Sequence, residues 1–431
     1  MNIETLYSLY LRSQNVSTDT RNIPLKSLFF ALKGENFNGN EFASAAIKSG
    51  ALFSIVDEKE FADENNDIYY VEDTLNALQK LAQYHRQKLN IPIIALTGSN
   101  GKTTTKELIT AVLSKKYQVA STVGNLNNHI GVPLTLLSIH PNHEIAVVEM
   151  GANHQMEIDF LSKIAQPDFG YITNFGKAHL EGFGGVDGVI RGKSELYNHL
   201  REHSKTVFVN CDDEKQIELT KDIRKITFGQ NPQSKFPIKY SKSLNGHCPE
   251  IIYESTHILS QLVGEYNQSN VAAALAIGLT FEVPLELIKE AIEEYQSDNN
   301  RSQIILRNNQ EIILDAYNAN PTSMEAALQN FSKIEGEKAV ILGDMFELGE
   351  TSLSEHKIIA DLVEKLGFNT IYLIGKNFSQ SFDKEQNNVK TFINRTEAEK
   401  FLSENPPTEK HLFIKGSRGM ALEKLLDIFP N

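Results

Sequence analysis

Short runs of apolar, β-branched residues alternate with amphipathic segments along most of the chain. Residues 103–116 and 269–281 have the apolar spacing of helices. The runs with the length and composition of buried strands are "PIIALT" (92–97), "IAVVEM" (145–150), "FGYIT" (169–173) and "TVFVN" (206–210). Because strands that alternate with helices form parallel sheets, the pattern predicts an α/β fold.

A second series of apolar runs follows residue 303. Its members are "EIILDAY" (311–317), "KAVILGD" (338–344), "TIYLIG" (370–375) and "HLFIKGS" (411–417). Each run leads into Gly, Asp or Ser, as expected where an open α/β sheet presents its ligand-binding edge. The pattern therefore predicts a second α/β domain.

Two polar stretches interrupt the pattern, at residues 84–92 and 295–303. A chain of 431 residues is too long for one ordinary core. We therefore expect three domains, at about 1–88, 89–297 and 298–431.

The composition argues against a nucleic-acid-binding protein and against a membrane-spanning protein. The formal charge is −13 and no run of Lys and Arg interrupts the acidic balance, which argues against a nucleic-acid partner. The chain has only two cysteines, and no apolar run reaches the roughly 18 residues of a membrane span. We expect a cytoplasmic, soluble protein with no membrane segment.

The stretch "ALTGSNGKTTTKEL" (95–108) resembles a phosphate-binding loop with a shifted glycine. The general loop reads G-x-x-x-x-G-K-S/T, but the position five before Gly101 is Leu96, and the nearest upstream glycine is Gly98. The alternative is an ordinary strand-to-helix turn with an exposed lysine. The preceding strand and following helix favour ATP, with Lys102 on its phosphates and the Thr103 hydroxyl on Mg²⁺.

Three further side chains follow predicted strands. Glu149 ends one strand, His179 comes just after another, and Lys193 lies in an amphipathic helix. Singly, each could be a turn cap, a surface imidazole or a solvated lysine. Together they could converge on the edge that carries the phosphate loop. GTP switches are excluded, since no Asn-Lys-x-Asp segment is present, and "DFG" (168–170) has no kinase loops with it.

Segments along nearly the whole chain resemble the Mur ligases, in the order that the family has them. They are "STDTR" (17–21), "LFFALKGENFNGNEF" (28–42), "TGSNGKTTTKE" (97–107), "GNLNNHIGVPLTLL" (124–137), "VVEMGANH" (147–154), "TNFGKAHLEGFGG" (173–185), "GEYNQSNVAAALAIG" (264–278), "DAYNANPTSMEAAL" (315–328), "LGDMFELGE" (342–350) and "KGSRGMALEKLL" (415–426). The family's own loop reads T-G-x-N-G-K-T-T, which explains the shifted glycine.

The resemblance implies a three-domain, ATP-dependent amide ligase. Its small α/β N-terminal domain would bind the UDP-sugar, its central P-loop ATPase-like parallel sheet would bind ATP, and its Rossmann-like C-terminal domain would close over both. Within the family, the segments are most similar to members that join D-alanyl-D-alanine to UDP-N-acetylmuramoyl-tripeptide, making the pentapeptide precursor of peptidoglycan. The expected partners are those two substrates, and the expected state is a monomer.

The resemblance also implies roles for individual residues. The expected catalytic residues are Lys102, Glu149, His179 and Lys193. Two Mg²⁺ ions would be held by Thr103, Glu149, His179 and Lys193, the last matching a lysine that the family carries as a carbamate formed with CO₂. ATP would be bound by Gly98, Ser99, Asn100, Gly101, Lys102, Thr103, Thr104, Asn267, Asn270, Arg301 and Asp315. The UDP-sugar and other substrate groups would meet Asp19, Thr20, Arg21, Lys33, Gly34, Asn125, Asn127, Asn128, Asn318 and Asn320. The Asn and Asp residues among the latter could instead serve only as turn formers.

Three alternatives remain beside this interpretation. The sister ligase that adds the third peptide residue carries a D-N-P-R segment, where this chain has "DAYNANP" (315–321). Folylpolyglutamate synthase would not need the "STDTR" domain. A non-catalytic nucleotide-gated binding protein would not need Lys102, Glu149, His179 and Lys193 together. The third residue of the tripeptide, diaminopimelate or lysine, stays open.

Overall fold

A computed structural model of the protein describes residues 1–242, 248–297, 301–382 and 387–429. The described residues form three parallel or mostly parallel sheets of four, nine and six strands, together with one small hairpin. Helices pack against these sheets, which confirms the predicted α/β fold class.

The amino-terminal sheet has four parallel strands in the order β1-β2-β5-β6, and β3 and β4 form the hairpin. The strands are β1 (Asn15–Ser17), β2 (Ser27–Phe30), β3 (Lys33–Gly34), β4 (Phe37–Asn38), β5 (Phe53–Val56) and β6 (Ile68–Tyr70). The helices are α1 (Ile3–Arg12), α2 (Ala43–Lys48) and α3 (Thr74–Lys88), with short 3-10 turns at Gly39–Phe42, Lys59–Phe61 and Glu64–Asn66.

The central sheet has nine strands in the order β15-β14-β13-β12-β11-β10-β7-β9-β8. Its strands are β7 (Ile93–Thr97), β8 (Val119–Ser121), β9 (Ile145–Glu149), β10 (Phe169–Ile172), β11 (Thr206–Asn210), β12 (Arg224–Gly229), β13 (Phe236–Lys242), β14 (Pro249–Tyr253) and β15 (Thr256–Leu259). Its helices are α4 (Lys102–Ser114), α5 (Gly131–Leu137), α6 (Glu157–Ala165), α7 (Leu180–Phe183), α8 (Val186–Glu202), α9 (Glu214–Leu219), α10 (Gln268–Thr280) and α11 (Leu285–Glu294), with a 3-10 turn at Glu265–Asn267. The last two pairings, β13 with β14 and β14 with β15, are antiparallel, which the alternating pattern alone does not predict.

The carboxy-terminal sheet has six strands in the order β16-β17-β21-β18-β19-β20, and only β16 is antiparallel to its neighbour. Its strands are β16 (Gln303–Arg307), β17 (Gln310–Asp315), β18 (Lys338–Gly343), β19 (Thr370–Ile374), β20 (Val389–Phe392) and β21 (His411–Lys415). Its helices are α12 (Pro321–Ser332), α13 (Ser352–Leu366), α14 (Lys376–Ser381) and α15 (Arg395–Glu404), with 3-10 turns at Gly349–Thr351, Arg418–Met420 and Leu422–Ile428.

The polar stretch 84–92 includes the end of helix α3 rather than an open linker. His85 and Arg86 are buried, and the Arg86 guanidinium donates to the Ala165 carbonyl and to the Asp168 carboxylate across to the central sheet. The Tyr10 hydroxyl donates to the Leu137 carbonyl at 2.9 Å in the same interface. Helix α3 and the Tyr10 side chain are thereby packed onto helices α5 and α6 of the central region.

Candidate functional site

A cavity of about 540 Å³ lies between the central and carboxy-terminal sheets. Parallel strands β7, β9 and β10 end at its wall, and the loop after β17 and the last residue of β21, Lys415, line its other side. Seventeen predicted site residues line it: Ser99, Asn100, Gly101, Lys102, Thr103, Thr104, Asn125, Asn127, Asn128, Glu149, His179, Asn267, Asn270, Arg301, Asp315, Asn318 and Asn320.

The loop between β7 and α4 needs glycine at both of its glycine positions. Gly98 has φ +143° and Gly101 has φ +78°, both in the region that side chains rarely adopt. A Cβ on Gly98 would collide with the Thr173 hydroxyl, and one on Gly101 would lie 2.8 Å from Asn270 Oδ1. The shifted glycine spacing therefore fits the close packing of this loop against its neighbours.

The segment after β10 holds the loop in place. The Ser99 amide donates to the Asn174 carbonyl at 3.1 Å, and the Asn100 amide donates to Asn174 Oδ1 at 3.0 Å. The Thr173 hydroxyl and the Asn174 side chain both donate to the Asn100 carbonyl. The loop is thus braced before any ligand binds.

Lys102 begins helix α4 and lies over its own loop. Its Nζ donates to the Gly98 carbonyl at 2.7 Å and to the Ser99 carbonyl at 3.3 Å. Desolvation lowers the pKa of Lys102 to about 8; the Glu149 carboxylate opposes this shift, and the Arg301 charge adds to it. Burial therefore weakens the hold of this lysine on its proton, and a bound anion would strengthen it again.

Glu149 ends strand β9 and is only 1% exposed. Its Oε1 accepts a hydrogen bond from Asn127 Nδ2 at 2.7 Å and one from the Thr103 hydroxyl at 3.3 Å. Its Oε2 is buried without a hydrogen-bond partner in the described part of the chain. A buried carboxylate oxygen with no partner is costly, so this oxygen has the character of a ligand for a cation.

Lys193 lies in helix α8 and is fully buried. Its Nζ donates to the Ala152 carbonyl at 3.0 Å and sits 4.8 Å from the centre of the Phe183 ring. Burial, reinforced by the charge of Lys102, lowers the pKa of Lys193 well below its ordinary value. The helix prediction is confirmed, but the side chain does not line the cavity.

His179 lies in the turn before helix α7, with φ +52°, and faces the carboxy-terminal sheet. Its Nδ1 pairs with the Glu347 carboxylate, and this contact lowers the pKa of Glu347. Lys177, two residues earlier, pairs with Glu355 at 2.7 Å. One hydrogen bond and one ion pair therefore join this turn to the loop and helix after β18.

The carboxy-terminal side reaches the phosphate loop directly. Asn320 caps helix α12 with its Oδ1 and donates from Nδ2 to Asn100 Oδ1 at 2.7 Å. Lys415 pairs with Asp315 at 2.5 Å and donates to the Asn318 carbonyl at 3.1 Å. Lys415 is a buried cavity residue that the sequence analysis did not select, although its motif "KGSRGM" was recognised.

Asn267 and Asn270 are nearly buried at the start of helix α10. Asn270 Nδ2 donates to Asn267 Oδ1 at 2.7 Å, and Asn267 Nδ2 donates to the Val263 carbonyl at 2.7 Å. The Thr105 hydroxyl donates to Asn270 Oδ1 at 3.0 Å, which ties helix α10 to the helix that follows the phosphate loop.

The predicted UDP-sugar residues of the amino-terminal region lie outside the cavity. They are Asp19, Thr20, Arg21, Lys33 and Gly34. Arg21 makes a two-contact pair with Asp19 at 2.7 and 2.9 Å, and Lys33 pairs with Asp57 at 3.0 Å. Gly98, at the foot of the phosphate loop, also does not line the cavity.

Comparison with known proteins decides which family this architecture represents. The sequence model of the Mur ligase family, catalytic domain, matches residues 12–86. The models of the Mur ligase middle domain and of the Mur ligase, glutamate ligase domain, match residues 96–278 and 300–418. The UDP-N-acetylmuramoyl-tripeptide–D-alanyl-D-alanine ligase of Bacillus subtilis is 35% identical, covering 95% of this chain and 92% of the relative. The chain belongs to the Mur ligase family.

Solved structures of Mur ligases have the same fold and support this family membership. A crystal structure of MurF from Acinetobacter baumannii matches with a TM-score of 0.87 and 33% identity, over 99% of this chain and 98% of that one. The MurF ligase of Thermotoga maritima, solved in complex with ADP, matches with a TM-score of 0.83 and 25% identity, over 97% of both chains. These matches identify this Mur ligase as an enzyme that uses ATP. None of its described helices is long and apolar enough to cross a membrane.

Proposed function

We propose that this chain joins D-alanyl-D-alanine to UDP-N-acetylmuramoyl-tripeptide at the expense of ATP, making the pentapeptide precursor of peptidoglycan. The observation that carries the proposal is the 2.7 Å contact of Asn320 with Asn100. It brings the "DAYNANP" loop, which by the family resemblance replaces the D-N-P-R segment of the sister ligase, directly onto the phosphate loop. The names of curated relatives over nearly the full chain support the same reaction.

The chemistry needs positioned charges rather than a protein nucleophile. An oxygen of the tripeptide carboxylate attacks the γ-phosphorus of ATP, and ADP leaves with its former bridging oxygen. The amine of D-alanyl-D-alanine then attacks the acyl phosphate carbon, loses a proton, and inorganic phosphate leaves with one carboxylate oxygen. Aligning these crowded anions contributes most of the rate enhancement in such reactions.

The phosphates of ATP would lie against the loop Gly98–Thr104. The backbone amides at the start of helix α4 point toward that position, and Lys102 supplies a cation whose lowered pKa would rise again on phosphate binding. Arg301 and Asp315 reach the same cavity from the carboxy-terminal side. We propose that these two contact the phosphates and ribose, while Asn267 and Asn270 hold the wall on the adenine side.

Thr103 and Glu149 fit a Mg²⁺ ion. Both side chains are buried, the Thr103 hydroxyl lies 3.3 Å from Glu149 Oε1, and Glu149 Oε2 has no partner in the described residues. No group of three or more His, Cys, Asp or Glu side chains gathers there within the described ranges. The remaining ligands of a hard cation would therefore be phosphate oxygens and water. When bound, Mg²⁺ supplies charge neutralisation to the transferred phosphate.

Lys193 fits the family's carbamate. Burial lowers the pKa of Lys193, which favours the neutral amine that adds to CO₂, and the product would place a carboxylate beside Ala152. Lys193→Ala should lose most activity and regain part of it with an added small carboxylate. Full activity in Lys193→Ala would contradict this role.

His179 is proposed as a ligand of a second Mg²⁺. Its Nδ1 is engaged by Glu347, which leaves Nε2 as the nitrogen available to a ligand. A carboxylate on the other ring nitrogen is the usual way to orient a metal-binding histidine. The rate would be measured as a function of Mg²⁺ concentration in the unmodified enzyme and in His179→Gln. Loss of the dependence on a second ion in the variant would support the assignment, and an unchanged dependence would contradict it.

The substrate-binding residues follow from the same proposal. Asn125, Asn127 and Asn128 would face the tripeptide carboxylate, and Asn318 and Asn320 would meet the dipeptide. Asp19, Thr20, Arg21, Lys33 and Gly34 would hold the UDP-sugar from a domain of residues 1–88. We propose that residues 89–297 and 298–431 form the other two domains, and that the protein acts as a cytoplasmic monomer, which light scattering would check.

A product assay tests the proposed function. The protein is incubated with ATP, Mg²⁺, D-alanyl-D-alanine and UDP-N-acetylmuramoyl-tripeptide carrying either diaminopimelate or lysine. We expect the pentapeptide by mass, with ADP and phosphate in equal amounts, and no product without the dipeptide. If only a UDP-dipeptide plus a free diamino acid gave product, the chain would be the sister ligase instead.

A further inference from the structure

The guanidinium groups of two arginines lie over the ring of Tyr317. The Arg301 guanidinium carbon lies 3.7 Å from the centre of the ring, and the Arg418 carbon lies 4.9 Å from it. Tyr317 follows strand β17, is half-buried, and lines the main cavity together with Arg301. Both distances are well within the range of a favourable cation–π contact.

Arg301 also acts on the phosphate loop through its charge. That charge contributes to lowering the pKa of Lys102, so the two cations converge on the same side of the cavity. Arg301 Nε is buried without a hydrogen-bond partner among the residues described. The Tyr317 ring contacts this guanidinium without neutralising its charge.

We propose that Tyr317 is a positioning residue, which stacks the Arg301 guanidinium beside the phosphate loop so that it meets the terminal phosphates of a nucleoside triphosphate. An aromatic face suits this task because it attracts the cation yet leaves its N–H groups free for phosphate oxygens. A carboxylate partner would compete with the phosphates instead. The Arg418 guanidinium is a second cation that lies over the same Tyr317 ring. The inference rests on the proposed function only in assigning this cavity to ATP.

Direct titration with Mg²⁺-ATP, in the absence of both peptide substrates, tests the inference on the full chain. Removing the ring in Tyr317→Leu should weaken ATP binding about tenfold, the size of a partly desolvated cation–π contact. Tyr317→Phe keeps the ring and should retain most of the affinity. Tyr84→Leu is the matched control, since it removes a half-buried ring with a lysine 4.9 Å from its centre, away from the cavity.

A double-mutant cycle separates positioning from general packing. If Tyr317 acts through Arg301, Tyr317→Leu should add little to the loss already caused by Arg301→Ala. Unchanged affinity in Tyr317→Leu, or fully additive losses, would overturn the inference. Tyr317→Met serves as a second ring-free variant should the leucine variant fail to fold.

The titration is independent of the ligation assay. A tenfold loss that depends on Arg301 supports the inference whatever product the enzyme makes. Unchanged affinity overturns it even if the pentapeptide forms.

Discussion

The charged side chains of the phosphate loop and those of the amino-terminal segment around Asp19 differ in their burial and in their pairing. At the loop, Lys102 and Glu149 lie in a desolvated cavity, and Glu149 Oε2 has no hydrogen-bond partner among the described residues. At the amino-terminal segment, Arg21 is 88% exposed and already paired with Asp19, which lowers the pKa of Asp19 to about 2. The loop is braced before a ligand arrives, whereas Arg21 would have to leave Asp19 in order to bind the sugar nucleotide as proposed.

This difference predicts which of the two regions interacts more strongly with a bound ligand. Buried, unsatisfied groups interact strongly with an arriving ion because little water screens them. Exposed ion pairs contribute little, since water and salt screen both partners. We therefore expect substitutions at the phosphate loop to affect the chemical step, and substitutions near Asp19 to affect only the affinity for the sugar nucleotide.

The largest expected effect is at Glu149. Glu149→Gln removes a charge but keeps the side-chain shape, and it should lower kcat by about 10²- to 10³-fold because a developing charge loses its counterpart. Steady-state kinetics at saturating substrates and varied Mg²⁺ would measure the loss. Glu144→Gln is the matched control, because that exposed residue lies just before the other end of strand β9 and should leave kcat unchanged. A Glu149→Gln enzyme with normal kcat would remove Glu149 from the account.

The pH dependence of ATP binding should show an intermediate effect. The free site has a Lys102 pKa of about 8, and bound phosphates would raise that pKa, so binding favours the protonated lysine. Affinity should be full below pH 8 and should fall about tenfold between pH 8 and 9.5, as the lysine of the free site loses its proton. Titrations with ATP across this range would measure the fall.

Two comparisons sharpen that profile. Lys102→Arg, which stays charged, should bind more weakly but without this pH dependence. Affinity for the UDP-sugar should stay flat from pH 8 to 9.5, because hydrogen bonding to Asp57 raises the pKa of Lys33 and keeps it protonated. A flat ATP profile in the unmodified enzyme would show that Lys102 does not titrate in the free site.

The smallest expected effect is at the exposed ion pair. Arg21→Ala should raise KM for the UDP-sugar substrate by about fivefold, with kcat and KM for ATP unchanged, as for one exposed charged contact. Lys48→Ala, at an exposed position at the end of helix α2, should change none of these constants. A large fall in kcat for Arg21→Ala would break the contrast between the two regions.

The sequence predicted the elements that surround the site because their signals are local. Apolar runs ending in Thr97 and Glu149 became strands β7 and β9, and the helix after Gly101 begins at Lys102. The antiparallel extension β13–β15 was not predicted, since strand direction depends on pairing rather than on composition. The polar stretch at residues 84–92 predicted only a domain boundary, because the burial of Arg86 depends on a carbonyl and a carboxylate from distant segments.

In the site, too, local motifs were predictable and contacts between distant residues were not. The residues of the phosphate loop were found from their motif, but Lys415 and the stacking of Arg301 on Tyr317 were not. Lys415 and Asp315 lie 100 positions apart along the chain, and Arg301 and Tyr317 lie on either side of the β16–β17 hairpin. Only the folded cavity shows them.

The transfer of an oxygen atom from the tripeptide to phosphate tests the central claim most directly. UDP-N-acetylmuramoyl-tripeptide labelled with ¹⁸O in its reacting carboxylate is incubated with ATP, Mg²⁺ and D-alanyl-D-alanine, and the released phosphate is analysed by mass. The account predicts one labelled oxygen in each phosphate and one in the new amide, because the acyl phosphate breaks at its carbon–oxygen bond. Pentapeptide accompanied by unlabelled phosphate would contradict it.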